Sequence, residues 1–519
     1  MKEAELGKKN VEKAAVSIKP SAEPTVASTT LKKAAYAAAL IVIVFCASFY
    51  SVKNNRQFEM MGGWAEEYMT LGVNMYYSGS FYLSDTIKTP FAFRPPGYVK
   101  YLDLVMKAGG DMKPKGYPFH SQAEFDQVKA KVLHGVYISQ CLLITAASLV
   151  LFFLFSEFLN LLLAFVIACM FGVNPYLVML AGLVHYETLH IFMLVLSTWL
   201  MCLGFARKKM GLIFLFVSGI SWGLTTLVRP VSLILPALLA VMLVFYYGKR
   251  WKTALLCFSI FTISFAGTLA PYTYRNYRLL HRFIPVNAQS NISFWASSHK
   301  SLPLDANHYR WWKIWYPDGQ EVYEEITGAK KFDRALYAAH VLEFEDYFGS
   351  KFKENLASQP MTYIGNVCGN FLLLNFGMNS VFIKMFQYQK HNNGKISNTW
   401  LEEGNPQDFY PAQAANAFTF LMLVLTLFSL AGIFLAIRQN DKRIYVPLLA
   451  FLTIVIAHSI SYMDLMYYYV RIPFLFIFTA FFICHLGLLI EKPHAGAVQR
   501  GIVFTLAVFM FALYIAVIG

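Results

Sequence analysis

Charge is scarce in this chain. Of its 519 residues only 14% are Asp, Glu, Lys or Arg, whereas an ordinary soluble domain carries about 25%; 57% are hydrophobic and 17% aromatic. So little charge beside so much apolar surface excludes a soluble globular enzyme and a disordered chain alike. Cysteine is sparse as well. The seven thiols (Cys46, Cys141, Cys169, Cys202, Cys257, Cys368 and Cys484) are scattered, mostly inside apolar runs, without a CxxC or Cys/His spacing, which excludes a disulfide scaffold and a cysteine metal site. No repeat of fixed period is present, nor a pair of matching interrupted apolar segments in two halves, and this weighs against an inverted-repeat transporter.

What the sequence has is apolar runs of membrane-spanning length. They fall at about 34–50, 133–155, 157–181, 187–205, 211–228, 231–247, 253–272, 415–437, 443–462, 466–489 and 500–518. The expected fold is therefore an all-α polytopic membrane protein with about eleven transmembrane helices. Residues 1–33, polar and rich in Lys, Ala, Ser and Thr, read as a disordered cytoplasmic tail ending in Lys32-Lys33. With the tail inside, the short basic loops Arg207-Lys208-Lys209, Gly248-Lys249-Arg250, Arg438–Arg443 and Glu491–Arg500 all alternate onto the cytoplasmic side, as the positive-inside rule requires. Most of the formal charge of +14 is thereby assigned to topology, and no nucleic-acid partner is implied.

A further apolar stretch, Met361–Phe376, would reverse that parity if it crossed, so it is expected to be re-entrant or interfacial. The chain then divides into an N-terminal transmembrane module (34–272) with a first outer loop at 51–132, a second outer loop at 273–413, and C-terminal transmembrane helices at 414–519. Two large loops on the non-cytoplasmic face are where function is expected to sit.

On that face stand arginines that orientation does not explain: Arg94, Arg229, Arg275, Arg278, Arg282 and Arg471, several at span ends. A guanidinium offers a planar fork of donors suited to phosphate oxygens. The bland alternative is pairing with Asp or Glu, or snorkelling to water. Carboxylates there include Glu59, Glu66, Glu67 and Glu187. Glu66 and Glu67 precede Tyr68, Leu71, Met75 and Tyr76 at helical spacing and are expected on an amphipathic helix lying on the membrane; they are candidates to accept a proton, or else occupy its solvated face. His185 and His190 flank Glu187 but are five apart, too divergent on a helix to share a metal, so Glu187 is expected to pair with a cation or orient the site. Trp295, Trp311, Trp312, Trp315 and Tyr316 in the second loop suit either headgroup anchoring or stacking on sugar.

Several segments carry a resemblance: Tyr68-x3-Gly72-x6-Gly79 leading to Phe93-Arg94-Pro95-Pro96-Gly97-Tyr98; Asn174-Pro175; Tyr186-Glu187-Thr188-Leu189; Gly223–Pro230 around Arg229; Pro271-Tyr272-x2-Arg275-Asn276-Tyr277; and Tyr468-Tyr469-x-Arg471-x-Pro473. In this order the chain resembles the bacterial relatives of protein O-mannosyltransferases and aminoarabinose-to-lipid A transferases, within the GT-C superfamily, from about residue 34 to 490. It departs from them at one point: the acid that usually lies about four residues before the Tyr is replaced by Trp64, so Glu67, Glu66 or Glu59 would have to serve.

The resemblance implies a membrane glycosyltransferase that moves a sugar from a polyprenyl-phosphate donor to a lipid, glycan or protein acceptor by inverting single displacement at the lipid bilayer. It further implies a bacterial inner-membrane location with the N-terminus cytoplasmic and the catalytic face periplasmic or extracellular. Glu67 or Glu66 would be the catalytic base, Arg94, Arg229, Arg275 and Arg471 the donor-phosphate ligands, and Glu187, Tyr68, Tyr98 and His185 supporting residues. No cofactor is required by this chemistry. No DxD pair stands near these residues, so a divalent metal is left open. The alternatives from other classes are a lipid or sugar transporter or flippase, and a non-catalytic lipid-glycan binding subunit.

Overall fold

The computed structural model describes residues 26–54, 62–82, 92–109, 122–300, 318–376, 413–461, 465–486 and 492–518. Helices make up nearly all of it, and no strand occurs among the described residues. We number them α1 (Val26–Asn54), α2 (Gly62–Ser78), α3 (Pro96–Ala108), α4 (Gln122–Phe155), α5 (Leu161–Gly172), α6 (Pro175–Leu180), α7 (Glu187–Ala206), α8 (Gly211–Val228), α9 (Leu235–Tyr247) and α10 (Trp251–Leu280). In the second half follow α11 (Ser290–Ser298), α12 (Gln320–Thr327), α13 (Arg334–Ala339), α14 (Val341–Ser358), α15 (Pro360–Phe376), α16 (Gln413–Arg438), α17 (Tyr445–Ile460), α18 (Ile472–His485) and α19 (Lys492–Ile518).

Among the described residues, ten helices are long and apolar enough to cross a membrane. They match ten of the eleven expected spans. The remaining one, 157–181, is not a continuous helix: α5 ends at Gly172, and α6 starts at Pro175 with Asn174 as its cap, the Asn174 Oδ1 accepting the Tyr176 N–H at 3.0 Å. Proline has no N–H to donate and biases the preceding residue away from helix, so the run breaks there. The chain still crosses. Glu157, just beyond the end of α4, pairs with Arg207, just beyond the end of α7, at 3.3 Å, so these two helices run parallel and α5–α6 must return between them.

The other ends agree with this alternation. Lys442, before α17, reaches the Tyr246 carbonyl at the end of α9, and His485, ending α18, meets Asp441 beyond the end of α16 at 3.2 Å. The N-terminal helix begins at Val26, inside the stretch read as a tail. The 3.6-residue period alone does not separate the polar first turns of a helix from a disordered lead-in.

Close helix crossings use small residues. A Cβ on Gly219 or Gly223 would strike α10 at Ser264, Phe261 or Thr268, and one on Gly432 would strike the Phe478 carbonyl of α18. Hydroxyls link the helices in the same apolar setting: Ser197 to Ser221 at 2.7 Å, and Ser429 to the Leu475 carbonyl at 2.9 Å. The phenylalanine-rich helix α18 is buried from Ile472 to Ile483 and lies in the interior of the bundle.

α15 contains the stretch 361–376. It runs antiparallel to the last turns of α17: the Tyr363 hydroxyl donates to the Ile460 carbonyl, Asn370 Nδ2 to the Ser459 carbonyl, and Leu374 packs on Val455. The helices α11–α14 of the second loop have a small core of their own, built on Trp295, Tyr323, Tyr337, Phe344 and Phe348. Trp295 is thus a core residue, neither anchored in headgroups nor open to a sugar. A sequence cannot tell the two apart, because burial depends on partners distant in the chain. Trp311, Trp312, Trp315 and Tyr316 lie outside the described residues.

Candidate functional site

From Glu67 to Asn74 the first-loop helix α2 shows no solvated face. Tyr68, Met69, Leu71 and Val73 are all buried, and Gly72 is so close to α3 that a Cβ would sit 2.9 Å from Leu102 Cβ. Glu67, only 3% exposed, goes in with them. Its carboxylate receives both arms of Arg94, Nε to Oε1 at 3.2 Å and Nη2 to Oε2 at 2.9 Å. That fork-to-fork geometry is the strongest form of the pairing, and it outweighs the burial that would otherwise disfavour charge on Arg94, holding the guanidinium protonated. Side-chain detail for Glu66, and Glu59 altogether, lie outside the described residues.

Arg94 sits over the Phe93 ring, 4.6 Å from its centroid, and over Tyr68 at 5.7 Å. Tyr68 is fully enclosed, its phenol pushed up by burial, and its ring meets Tyr98, His185 and Tyr186 edge-on at 5.3, 5.8 and 5.8 Å. Tyr98 serves as packing and anchor: its hydroxyl reaches Gln140 of α4 at 3.4 Å, and Gln140 Nε2 in turn donates to the Ala181 and Leu183 carbonyls. His185 Nδ1 contacts the Glu187 carboxylate. Glu187 therefore pairs with histidine and not with an arginine, and its Oε1 has no hydrogen-bond partner among the described residues.

Arg229 caps α8 and is 5% exposed. Its Nη1 donates to the Tyr469 hydroxyl at 2.5 Å, and the guanidinium lies 3.9 Å from the Tyr467 centroid and 5.4 Å from that of Tyr186. The Tyr469 hydroxyl also meets His190 Nδ1 at 3.3 Å. Tyr186, touching both Tyr68 and Arg229, joins the Glu67–Arg94 pair to the Arg229 cage. Arg471, 3% exposed, lies 3.5 Å from the centroid of Tyr468, and its Nε and Nη1 have no hydrogen-bond partner among the described residues. Neither Arg229 nor Arg471 forms an ion pair among the described residues; tyrosine rings and, for Arg229, the Tyr469 hydroxyl are what surround these two buried groups there.

Of the other arginines, Arg275 is held over Tyr272 and Phe81 and donates to the Asn276 side chain at 3.0 Å. Arg282 is bound fork-to-fork by Asp346 at 2.6 and 2.7 Å, the ordinary ion pair that the sequence left open. The structure thus gathers Glu67, Arg94, Tyr68, Tyr98, His185, Glu187 and Arg229 at one end of the bundle. Sequence reasoning missed Tyr467, Tyr469 as an arginine ligand, and His190. Three consecutive tyrosines ahead of a span-initial Arg-x-Pro were the signal available. No group of three or more His, Cys, Asp or Glu placed to hold a metal occurs among the described residues.

No family model matches the chain, and no curated protein does. Among solved structures it is similar to the oligosaccharyltransferase AglB of Archaeoglobus fulgidus in complex with an inhibitory peptide and a dolichol-phosphate, with TM-score 0.50, 11% identity, and coverage of 92% of this chain and 55% of that one. The apo form of the Archaeoglobus fulgidus oligosaccharyltransferase gives TM-score 0.49 at 12% identity over 92% of this chain and 56% of that chain. ArnT of Cupriavidus metallidurans bound to undecaprenyl phosphate gives TM-score 0.36 at 12% identity, over 85% and 77% of the two chains. This chain spans about half the length of the archaeal enzyme. A bundle of spanning helices with a polar cluster at one end is the fold this chain shares with the Archaeoglobus fulgidus oligosaccharyltransferase.

Proposed function

We propose that this protein is an integral membrane glycosyltransferase that moves a sugar from a polyprenyl-phosphate donor to an acceptor on the non-cytoplasmic face of a bacterial inner membrane, by one inverting displacement. The observation that carries the reading is the pair of buried guanidinium groups, Arg229 and Arg471, that have no ion pair among the described residues, of which Arg229 is caged one tyrosine away from the Glu67–Arg94 pair. Burying an uncompensated charge costs several kcal/mol or more, so such groups call for an anion, and a membrane-embedded site reached from the lipid suits a lipid phosphate. The dolichol-phosphate seen with the archaeal enzyme of the same fold supports that carrier class.

In this mechanism the donor phosphate is held by Arg229, with Arg94, Arg275 and Arg471 as further candidate ligands. The acceptor hydroxyl or amine attacks the anomeric carbon from the face opposite the phosphate. The bond from that carbon to the phosphate oxygen breaks with its electron pair, inverting the centre, and the arginines hold the charge that develops on the phosphate. The acceptor proton passes to Glu67 or Glu66. Arg94 links the two halves of the reaction: as its fork turns from the Glu67 carboxylate toward the phosphate, the carboxylate loses its counter-charge and becomes the stronger base. Tyr68, Tyr98, His185 and Glu187 set the shape of this pocket.

The test is sugar transfer by purified protein from a panel of polyprenyl-phosphate sugars, with and without a chelator of divalent ions, comparing wild type with Glu66→Gln and Glu67→Gln. Turnover by the wild type that is lost in at least one variant whose thermal melt shows it still folded supports the reading. A folded wild type that turns over no donor refutes it, and moves weight to lipid or sugar transport or to a binding subunit.

A further inference from the structure

We infer that Asn276 and Asn287 are positioning residues which connect the last long helix of the N-terminal module, α10, through the start of the second loop, to Arg94. Asn276 lies in the outer part of α10 and is fully buried. Its Nδ2 donates to two carbonyls of the chain that folds back after the helix, Ile284 and Val286, both at 3.0 Å. Thr273, one turn earlier, adds a bond from its hydroxyl to the Pro285 carbonyl at 2.9 Å. His281, in the left-handed conformation at φ 53°, makes the reversal that lets the chain return.

The segment so held then grips the residues before Arg94. The Ala288 N–H donates to the Ala92 carbonyl at 2.8 Å, and Asn287 Nδ2 donates to the Phe93 carbonyl at 3.1 Å. The Phe93 ring enters the small core of the second loop, edge-on to Tyr337 at 5.0 Å, while its other surface supports the Arg94 guanidinium. Arg94 is thus the next residue along a backbone fixed by two hydrogen bonds and one half-buried ring packed on that core. The arrangement gives the Arg275-Asn276 motif a role that phosphate binding does not explain: Arg275 orients the Asn276 carboxamide by donating to its Oδ1, which leaves both amide hydrogens for the folded-back chain.

The proposal rests on the role given above to Arg94, and the experiment separates the two. The variants are Asn287→Ala, its near-isostere Asn287→Asp, which cannot donate to the Phe93 carbonyl, and Asn276→Ala in case one site tolerates change. Amide hydrogen exchange of the full-length protein in nanodiscs is read over residues 92–109, with exchange in α16–α19 as the measure of global stability. Faster exchange in the first segment with the second unchanged is expected, and this readout needs no turnover. For transfer, kcat is expected to fall roughly tenfold to a hundredfold with the donor KM within about twofold, because misplacing a catalytic group by about 1 Å costs rate more than binding. In an Arg94→Lys background Asn287→Ala should add almost nothing, since the residue acts through Arg94. Unchanged exchange over residues 92–109 overturns the proposal, as does a fully additive effect in the double variant. If the wild type turns over no donor, the reading as a glycosyltransferase fails, while the exchange result still decides whether the strut exists.

Discussion

Gly97 in the Pro-Pro-Gly-Tyr turn is where the two halves of the site touch through their backbones, and replacing it with alanine tests the proposed geometry directly. A Cβ there would lie 2.7 Å from the Val228 nitrogen and 2.8 Å from both the carbon and the oxygen of Leu227. These are main-chain atoms at the end of α8, so no side chain can swing aside. Relief requires α3 and α8 to separate by about half an ångström or more, and overpacking of this kind costs typically about 1–3 kcal/mol. The displacement reaches the site within a few residues, because Arg94 precedes Gly97 by three residues and Arg229 follows Val228. Turnover should therefore fall by about an order of magnitude or more, beyond what the loss of folded protein explains. The assay is thermal unfolding in nanodiscs together with transfer kinetics. Gly267→Ala serves as the control, since a Cβ there meets nothing within 4 Å and the helix gains up to about 1 kcal/mol. Wild-type melting and turnover in Gly97→Ala would refute the claim that this contact sets the spacing of the two arginines.

Three further outcomes are expected. Arg229→Gln should raise the melting temperature of the ligand-free protein while abolishing binding of undecaprenyl phosphate, because relief of a buried charge that has no ion pair among the described residues is expected to outweigh the lost Tyr469 hydrogen bond, and the proposed phosphate contact goes with the guanidinium; a drop in stability with binding intact contradicts this. Glu67→Gln should destabilise the protein, by up to about 3–5 kcal/mol, since it strands Arg94 in a buried site, and a melt unchanged from wild type would show that the pair is not formed in the membrane. Burial pushes the Glu345 carboxyl up to about 7 from an ordinary 4.5, against the helping N–H of Asn291. Its folded form thus prefers the proton: the second-loop core is most stable below about pH 4.5 as far as this group is concerned, and loses at most about 3 kcal/mol as pH rises through 7. Glu345→Gln should remove that loss, visible as slower exchange in α11 and α14 at about pH 8 and no difference at pH 5; equal exchange at both would count against it.

How much of this was legible in the sequence depended on whether the signal was local. Apolar runs placed ten spanning helices because the bilayer reads composition residue by residue, and loop charge gave their alternation. The break at Asn174-Pro175 was also written locally, in a residue that caps and one that cannot donate, yet the apolar composition across it concealed it. Arginines on the loop-bearing face stood out because topology gave them no reason. Their partners did not: Glu67 with Arg94, Arg282 with Asp346, and Arg229 with Tyr469 join residues 27, 64 and 240 apart in the chain, and no spacing rule spans such distances. The burial of Glu67 was hidden for the same reason, since a Glu beside another Glu reads as solvated until Arg94 is brought to it.

The broken third crossing has a consequence for how the protein is made. α5 is 12 residues long, about 18 Å, and cannot bridge a hydrocarbon core of about 30 Å without the segment that follows Asn174-Pro175. A ribosome that has released only as far as Gly172 therefore presents the insertion machinery with half a span, and the commitment of α5 waits on α6 and on packing against α1 and α4, which are already in place. Substitutions that shorten or charge the stretch from Pro175 to Leu180 should invert every later helix in a fraction of the molecules, and so appear as degraded protein with no defect in the site itself.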